Sequence, residues 1–244
     1  MNLIYNFPGI FKALVALKSV KSYRVQIRKN KVAGNFEEER KNILQATSIW
    51  GNKMLELFDA NLEVFGKENL PKEGPVVYVS NHQGYADIIA LCAALDTVQF
   101  GFVAKDNLGK LPVYGSWITE IRSVLISRKN PREALKAISA GIKNIQNGFS
   151  MLIFPEGTRS KGPEMARFKK GALKLATKPK VPIVPISIEG SYHCFEEKGV
   201  LRGDTVKVLI HPMVQTASLS GEEEKNLPKE IENIVRSGVI SLQK

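Results

Sequence analysis

A histidine and an aspartate stand five residues apart after a short apolar run, residues 76–80. Five residues of continuous helix would turn the two side chains by about 500°, so His82 and Asp87 would lie on different faces. Gly84 lets the chain turn between them, and a helix that begins near Tyr85 holds an aspartate in its first turn, where the helix dipole favours a carboxylate. Such a carboxylate orients the imidazole and leaves its other nitrogen free as a base. The alternative is a strand-end histidine and a helix cap without chemistry.

A second polar turn, residues 154–160, follows another apolar run about 70 residues later. Pro155 rigidifies the end of the strand, and Gly157 lets backbone amides approach an anion. Arg159 offers a planar fork that suits a phosphate, and Thr158 adds a hydroxyl donor. Ligands of open α/β sheets bind beyond the carboxyl ends of the strands, so we expect this turn at the ligand-binding edge. The alternative is an ordinary turn with a solvated arginine.

The segments around these turns predict a sheet that helices cover on both faces. Runs such as 76–79 and 151–154 lack apolar/polar alternation, which is typical of strands buried on both sides. Strands are predicted at residues 62–65, 76–80, 100–104, 124–127, 151–154, 184–188 and 206–210, and helices at 86–95, 131–146, 170–177 and 222–242. The predicted fold class is α/β, with a mixed, largely buried sheet flanked by helices in one domain, residues 61–244.

Length, composition and charge exclude several classes of protein. A chain of 244 residues with 43% hydrophobic content can bury a full core, so it is neither disordered nor fibrous. Two cysteines cannot form a disulfide framework and no signal-peptide pattern is present, which favours a reducing, cytosolic environment. The net charge is +11, but the first 31 residues carry seven cations without an acid, and the remainder only +4. Nucleic acid is therefore not the predicted partner, because its binding domains spread charge over the folded body.

The basic N-terminal arm also carries bulky apolar side chains. Its apolar run, residues 3–17, is interrupted by polar residues and falls short of the roughly 20 residues that span a bilayer. We predict that the arm lies on a membrane surface, with apolar side chains below the headgroups and cations on anionic phosphates. The residues predicted to bind the membrane are Phe7, Phe11, Lys12, Leu14, Lys18, Lys21, Arg24 and Arg28. The alternative is a helix docked on its own domain with a solvated basic face.

A second amphipathic helix is predicted after a polar break near Gly34. Its acidic start suits a helix N-terminus, and apolar residues recur at helical spacing up to Phe58. We expect Trp50 and Met54 to pack in the core. Residues 1–60 are thus predicted to form a two-helix, membrane-associating segment.

The two polar turns together resemble one known family. The pattern NHxxxxD at residues 81–87, followed by FPEGTRS at residues 154–160, is similar to the glycerolipid acyltransferases, and most closely to the 1-acyl-sn-glycerol-3-phosphate acyltransferases. Residues 101–105 with Gly115 and Arg128, and residues 181–186, resemble two further blocks of the family. The likeness covers about residues 62–215. The chain departs from the family at Asn107 and Ser127, where acidic residues are common.

The resemblance implies transfer of a fatty acyl group from acyl-CoA or acyl carrier protein to the sn-2 hydroxyl of lysophosphatidic acid. The product is phosphatidic acid, in phospholipid biosynthesis, and no metal or other cofactor is implied. His82 would act as general base, with Asp87 orienting it, and an imidazole pKa near 6.5 suits that role. The residues implied to bind the acceptor's phosphate and glycerol are Arg159, Lys105, Glu156, Gly157, Thr158 and Arg128. From sequence, Glu156 either bonds the glycerol or holds its loop by pairing with a cation.

Two other functions fit parts of the sequence. An acyltransferase for glycerol 3-phosphate or another lysolipid would use the same residues. A non-catalytic, basic membrane-binding scaffold accounts for the arm but leaves the two polar turns unexplained. The predicted location is the cytoplasmic face of a membrane, as a monotopic or peripheral protein.

Overall fold

The structure is a computed structural model that describes residues 3–127 and 130–244, without the side chains of residues 3–8, 10 and 131. Arg128 therefore lies outside the described residues, as does the side chain of Phe7. The helices are α1 (Leu3–Ser19), α2 (Lys21–Ala33), α3 (Phe36–Phe58), α4 (Ala86–Ala94), α5 (Tyr114–Glu120), α6 (Pro131–Gln146), α7 (Lys174–Thr177) and α8 (Gly221–Leu242). The strands are β1 (Asn61–Phe65), β2 (Val77–Ser80), β3 (Phe100–Lys105), β4 (Val124–Ile126), β5 (Ser150–Ile153), β6 (Ile183–Glu189) and β7 (Thr205–Ile210).

The seven strands form one mixed sheet in the order β1-β7-β6-β2-β5-β3-β4. Neighbouring strands are parallel except for β6 and β7, which are antiparallel. Each strand lies within one residue of its predicted bounds, and helices pack on both faces. The predicted α/β class and mixed, buried sheet are confirmed.

The register of the two central strands explains why the two polar turns meet. Val79 of β2 lies opposite Ile153 of β5, and both strands run in the same direction. His82 and Glu156 each stand three residues beyond this pair, so the parallel strands deliver them to the same edge of the sheet.

Side chains of β2 alternate between two apolar cores. Tyr78 packs with the N-terminal helices, α4 and α5, whereas Val77 and Val79 pack with α6 to α8. Successive strand residues point to opposite faces, so a strand with a core on each side must be apolar throughout. The site-bearing strands are consequently held rigidly from both sides.

The N-terminal region contains three helices rather than the predicted two. The chain leaves the helical conformation at Val20, which is fully buried, so the basic arm divides into α1 and α2. Buried residues of both helices, such as Ala16 and Ile27, belong to the same core as the sheet. An ion pair between buried Glu39 of α3 and Arg122, with contacts of 2.5 and 2.6 Å, further joins these helices to the domain.

Among the described residues, no helix is both long and apolar enough to pass through a bilayer. Trp50 and Met54 of α3 are buried in the core, as predicted. The short helix α5, which no sequence pattern indicated, packs against the loop after β3 and against α2.

Candidate active site

His82 and Asp87 meet at the carboxyl end of β2. The imidazole Nδ1 lies 2.6 Å from Asp87 Oδ2, and because a carboxylate only accepts, Nδ1 donates this hydrogen bond. Asp87 stands in the first turn of α4 and is fully buried, whereas the His82 side chain keeps 13% of its surface exposed. Nε2 makes no hydrogen bond within the described part of the structure. The predicted contact is therefore present, with a base nitrogen left free for an incoming hydroxyl.

Asp87 is fixed by two further donors. The Gly84 amide donates to Oδ2 over 3.0 Å, and the Ser191 hydroxyl donates to Oδ1. Ser191 is fully buried at the start of a short 3-10 helix that follows β6. Both carboxylate oxygens are thus satisfied, and the aspartate has a single orientation toward His82.

Glu156 ties the two turns together through backbone groups. Its Oε1 accepts from the His82 amide at 2.6 Å, and its Oε2 accepts from the Ala166 amide at 2.8 Å. The side chain is buried, and burial raises the pKa of the carboxyl although these two amides oppose the shift. Each oxygen thus already accepts one backbone hydrogen bond, and Glu156 braces the two loops. That it also bonds the glycerol, or pairs with a cation, stays a prediction.

Additional contacts hold the second turn against the first. The amides of Ser160 and Lys161 donate to the carbonyls of His82 and Gln83 at 2.8 and 3.0 Å. The Phe154 ring stacks on the His82 imidazole, with centroids 4.0 Å apart and planes 14° apart. The imidazole therefore has a carboxylate at one edge and an aromatic ring on one face, which fixes its orientation.

Arg159 reaches the same edge but is already paired. Its Nη1 donates to Glu196 Oε1 over 2.6 Å, and its guanidinium carbon lies 3.7 Å from the Tyr85 ring centroid. The Tyr85 amide donates to the same carboxylate oxygen at 3.0 Å. Because Tyr85 directly precedes the α4 turn that carries Asp87, the guanidinium and the imidazole are positioned by one short segment.

An apolar cavity of about 350 Å³ lies beside this segment, between the N-terminal helices and the sheet. Its lining includes Tyr85, Ala86 and Phe195, with Arg159 over the Tyr85 ring, and also Trp50 and Phe58 of α3. Its surface is almost wholly apolar, so it suits a hydrocarbon chain. The sequence did not locate this cavity, because its wall combines residues from distant parts of the chain.

The remaining described residues that were predicted to bind the acceptor lie farther from the His82–Asp87 pair or make no contact with it. Gly157 has a positive φ of 71°, which favours glycine in this turn. Thr158 is exposed beside it. Lys105 is exposed at the carboxyl end of β3, which is separated from β2 by β5. Gly157, Thr158 and Lys105 lie at the same edge of the sheet as His82, but the structure records no contact between them and His82.

The predicted membrane-binding residues divide into two groups. Phe11 and Leu14 of α1 are 61% and 42% exposed, and Lys18, Lys21 and Arg28 are exposed as well. Lys12 is half-buried over the Phe58 ring.

The prediction that Arg24 binds the membrane is wrong. Its side chain is only 13% exposed, and it is bonded to Glu120 of α5 at 2.6 and 3.1 Å. It therefore joins two helices and is not free to meet a lipid phosphate.

The two histidines outside the polar turns have structural partners. His211 bonds the Ser187 hydroxyl at 2.8 Å, and burial lowers its pKa. His193 lies 3.3 Å from Glu197. Within the part of the chain that the structure describes, no three histidine, cysteine, aspartate or glutamate side chains group as metal ligands would.

Sequence reasoning missed Ser191 and Glu196, which contact the two central side chains. Both lie in the loop after β6, more than 30 residues beyond the second turn. The one available signal was topological, since β6 pairs with β2 in parallel and its carboxyl end must reach the same edge.

The fold and the family match identify the chain as a member of an acyltransferase family. Residues 61–189 match the family described as Acyltransferase, which is more than half of the chain, and the chain belongs to this family. The match contains both polar turns and ends directly before the loop that carries Ser191 and Glu196.

Relatives of this chain include plant and bacterial proteins. It is 34% identical over 178 residues to the "1-acyl-sn-glycerol-3-phosphate acyltransferase BAT2, chloroplastic" of Brassica napus, covering 71% of this chain and 51% of that protein. It is 30% identical over 178 residues to the 1-acyl-sn-glycerol-3-phosphate acyltransferase of Borreliella burgdorferi, covering 72% and 69%. The chain thus spans about half the length of the plant protein.

A solved structure has a similar fold along the whole chain. It is the 1-acyl-sn-glycerophosphate (LPA) acyltransferase PlsC of Thermotoga maritima, with a TM-score of 0.75 and 28% sequence identity. The similarity covers 100% of this chain and 98% of that one, so it includes the N-terminal helices.

Proposed function

We propose that this protein transfers a fatty acyl group from an acyl thioester to the sn-2 hydroxyl of 1-acyl-sn-glycerol 3-phosphate, forming phosphatidic acid. The observation that carries this proposal is the 2.6 Å contact between His82 and Asp87, next to a loop that presents Arg159. The named relatives support the choice of acceptor. The thioester is acyl-CoA or acyl carrier protein, and no metal or other cofactor takes part.

The proposed reaction needs one base and one anion-binding group. His82 Nε2 takes the proton of the acceptor hydroxyl as its oxygen bonds to the thioester carbonyl carbon. Collapse of the tetrahedral intermediate breaks the carbon–sulfur bond, and the imidazolium returns the proton to the thiolate. Asp87 stabilises the imidazolium, and the Phe154 ring holds its plane. Arg159 binds the acceptor's phosphate through its guanidinium nitrogens.

The apolar cavity is the proposed site for a fatty acyl chain. Tyr85, over whose ring Arg159 lies, and Phe195 line it, and so do residues of α1 and α3. Tyr85 and Ala86 follow His82 by three and four residues, so an acyl chain in the cavity would lie beside the segment that carries the imidazole. The cavity volume of about 350 Å³ is finite, so the enzyme would favour chains up to a limiting length.

The reaction is tested with the purified chain, a labelled acyl thioester and a panel of acceptors. The panel contains 1-acyl-glycerol 3-phosphate, glycerol 3-phosphate and a lysophosphatidylcholine, and the thioester is offered on CoA and on acyl carrier protein. We expect transfer to 1-acyl-glycerol 3-phosphate that disappears in His82→Ala. Preference for another acceptor would change the assigned substrate, and equal activity in His82→Ala would refute the mechanism.

We also propose that the enzyme works on the cytoplasmic surface of a membrane, where both substrates place their acyl chains. Phe11 and Leu14 stand three residues apart on one face of α1, and both are exposed beside the cation Lys18. Apolar side chains next to cations favour insertion among anionic headgroups. The arm would thus lie on the membrane, and Gly9 and Ala13 of the same helix α1 line the cavity.

The membrane contact is tested by flotation of the full chain with vesicles of phosphatidylglycerol and phosphatidylcholine. The variant Phe11→Glu/Leu14→Glu should lose most binding. The matched control Leu135→Glu/Ile240→Glu alters two side chains that are also exposed, at 65% and 52%, but lie on other helices. Equal binding by the two double variants would refute the placement on α1.

A further inference from the structure

The guanidinium assigned to the acceptor's phosphate already has an anionic partner. Arg159 Nη1 donates to Glu196 Oε1 at 2.6 Å, and the Glu196 side chain is only 2% exposed. Stacking on the Tyr85 ring holds the guanidinium in this position. The positive charge of Arg159 is therefore compensated within the protein before any acceptor arrives.

Glu196 is poorly satisfied for a buried carboxylate. Oε1 accepts both hydrogen bonds, from Arg159 and from the Tyr85 amide. Oε2 is buried without a hydrogen bond in the described part of the structure and lies against Gly84. Burial accordingly raises the pKa of Glu196, although the Tyr85 amide and Arg159 oppose the shift. A buried carboxylate oxygen without a donor destabilises a fold, and such local conflicts are typical of functional sites.

We infer that Glu196 is a specificity-determining residue that competes with the acceptor's phosphate for Arg159. The inference rests on the proposed function, since it concerns the same arginine. A phosphate that approaches the guanidinium meets a buried negative charge, and it must share Arg159 with Glu196 or displace it. Glu196 thereby weakens the binding of every phosphate-bearing acceptor, whereas an acceptor without a phosphate has no such competitor.

The neighbouring residue provides a matched control. Glu197 is exposed and pairs with Arg202 at 2.8 Å and with His193 at 3.3 Å, away from Arg159. Replacement of either glutamate by glutamine removes one negative charge from the same loop. Only replacement of Glu196 removes it from the guanidinium.

The test is the KM for 1-acyl-glycerol 3-phosphate and for a phosphate-free monoacylglycerol in four proteins: wild type, Glu196→Gln, Glu197→Gln and Arg159→Gln. Glu196→Gln should lower the KM for the phosphate-bearing acceptor roughly five- to tenfold, the effect expected of one nearby charge, and leave the KM for the other acceptor unchanged. Glu197→Gln should resemble the wild type. Glu196→Asp withdraws the carboxylate from Arg159 Nη1 and should lower the same KM by a smaller factor. It replaces Glu196→Gln in the test if that variant does not fold.

The outcomes separate this inference from the proposed function. If Arg159→Gln raises the KM for the phosphate-bearing acceptor but neither Glu196 variant lowers it, the competition is refuted while the phosphate clamp stands. If Glu196→Gln and Glu197→Gln lower this KM equally, the effect comes from the net charge of the loop and not from competition for Arg159, which also refutes the inference. If Arg159→Gln leaves this KM unchanged, the phosphate clamp and the competition are both wrong.

Discussion

Asp87 and Glu196 are two buried carboxylates that each accept a hydrogen bond from a functional side chain, but their surroundings differ. Asp87 has donors on both oxygens: His82 and the Gly84 amide on one, and the Ser191 hydroxyl on the other. Glu196 has two donors on one oxygen and none on the other. One carboxylate is fully bonded to the protein, and the second is only half bonded.

The difference indicates what each carboxylate does for its partner. A hydrogen bond to a charged group contributes about 1.5–3 kcal/mol, so three donors leave Asp87 no favourable alternative position. The imidazole that it holds keeps one tautomer and one orientation, as general base catalysis requires. Glu196 holds Arg159 with a single side-chain hydrogen bond, which a stronger anion can replace. We therefore expect the His82–Asp87 contact to persist during the reaction, whereas Arg159 can exchange Glu196 for another anion.

The largest effect is expected from replacing Asp87, the carboxylate that has hydrogen-bond donors on both oxygens. Asp87→Asn keeps the shape but presents an amide to three donors, so the imidazole loses its oriented tautomer. We expect kcat to fall about 10³- to 10⁴-fold with little change in the KM for the acceptor. The control is Asp96→Asn, at an exposed position after α4. A kcat within tenfold of the wild type in Asp87→Asn would show that the pair is structural.

A smaller loss is expected when Asp87 keeps its charge but loses one donor. Ser191→Ala removes the hydroxyl from Oδ1 and leaves a buried oxygen unsatisfied, as Glu196 Oε2 already is. We expect kcat to fall roughly tenfold, since one hydrogen bond of about 1.5 kcal/mol is lost. Ser191→Thr, which restores the hydroxyl, should recover most of the activity at the same KM. If alanine and threonine act alike, the hydroxyl does not position Asp87.

The smallest effect concerns the pH dependence of stability. Because burial raises the pKa of Glu196 above its unfolded value, the native state binds more protons than the unfolded state between the two values. The stability of the wild type relative to Glu196→Gln should therefore fall as the pH rises above about 4, where an ordinary carboxyl group in the unfolded chain ionises. Urea unfolding of both proteins measures this difference, and Glu156, whose pKa burial also raises, is present in both and cancels. A stability difference that stays constant with pH, or that grows as the pH rises, would contradict the view that Glu196 is a buried carboxylate with one oxygen unbonded.

Local sequence patterns predicted most of the fold. The β-branched runs located all seven strands, because a sheet buried on both faces requires continuous apolar segments. The break at Val20 was not predicted, since the lysines on both sides of it are good helix formers. The role of Arg24 was also wrong. Its partner Glu120 lies 96 residues away, on the unpredicted helix α5.

The candidate site was predictable only where its partners lie close in sequence. His82 and Asp87 are five residues apart, so a turn and a helix start were enough to bring them together. Ser191 lies 104 residues from Asp87, and Glu196 lies 37 residues from Arg159. No local pattern relates these positions. Their contacts depend on the order of strands in the sheet, which places the loop after β6 beside the loop after β2.

The central claim is that the imidazole performs the chemistry and the guanidinium binds the acceptor. The most direct measurement is the pair of values kcat and KM for 1-acyl-glycerol 3-phosphate in His82→Ala and Arg159→Gln. We predict that His82→Ala loses kcat by at least about 10³-fold, whereas Arg159→Gln mainly raises KM. Small and equal effects in the two variants, or a loss of kcat in both without a change in KM, would contradict the account.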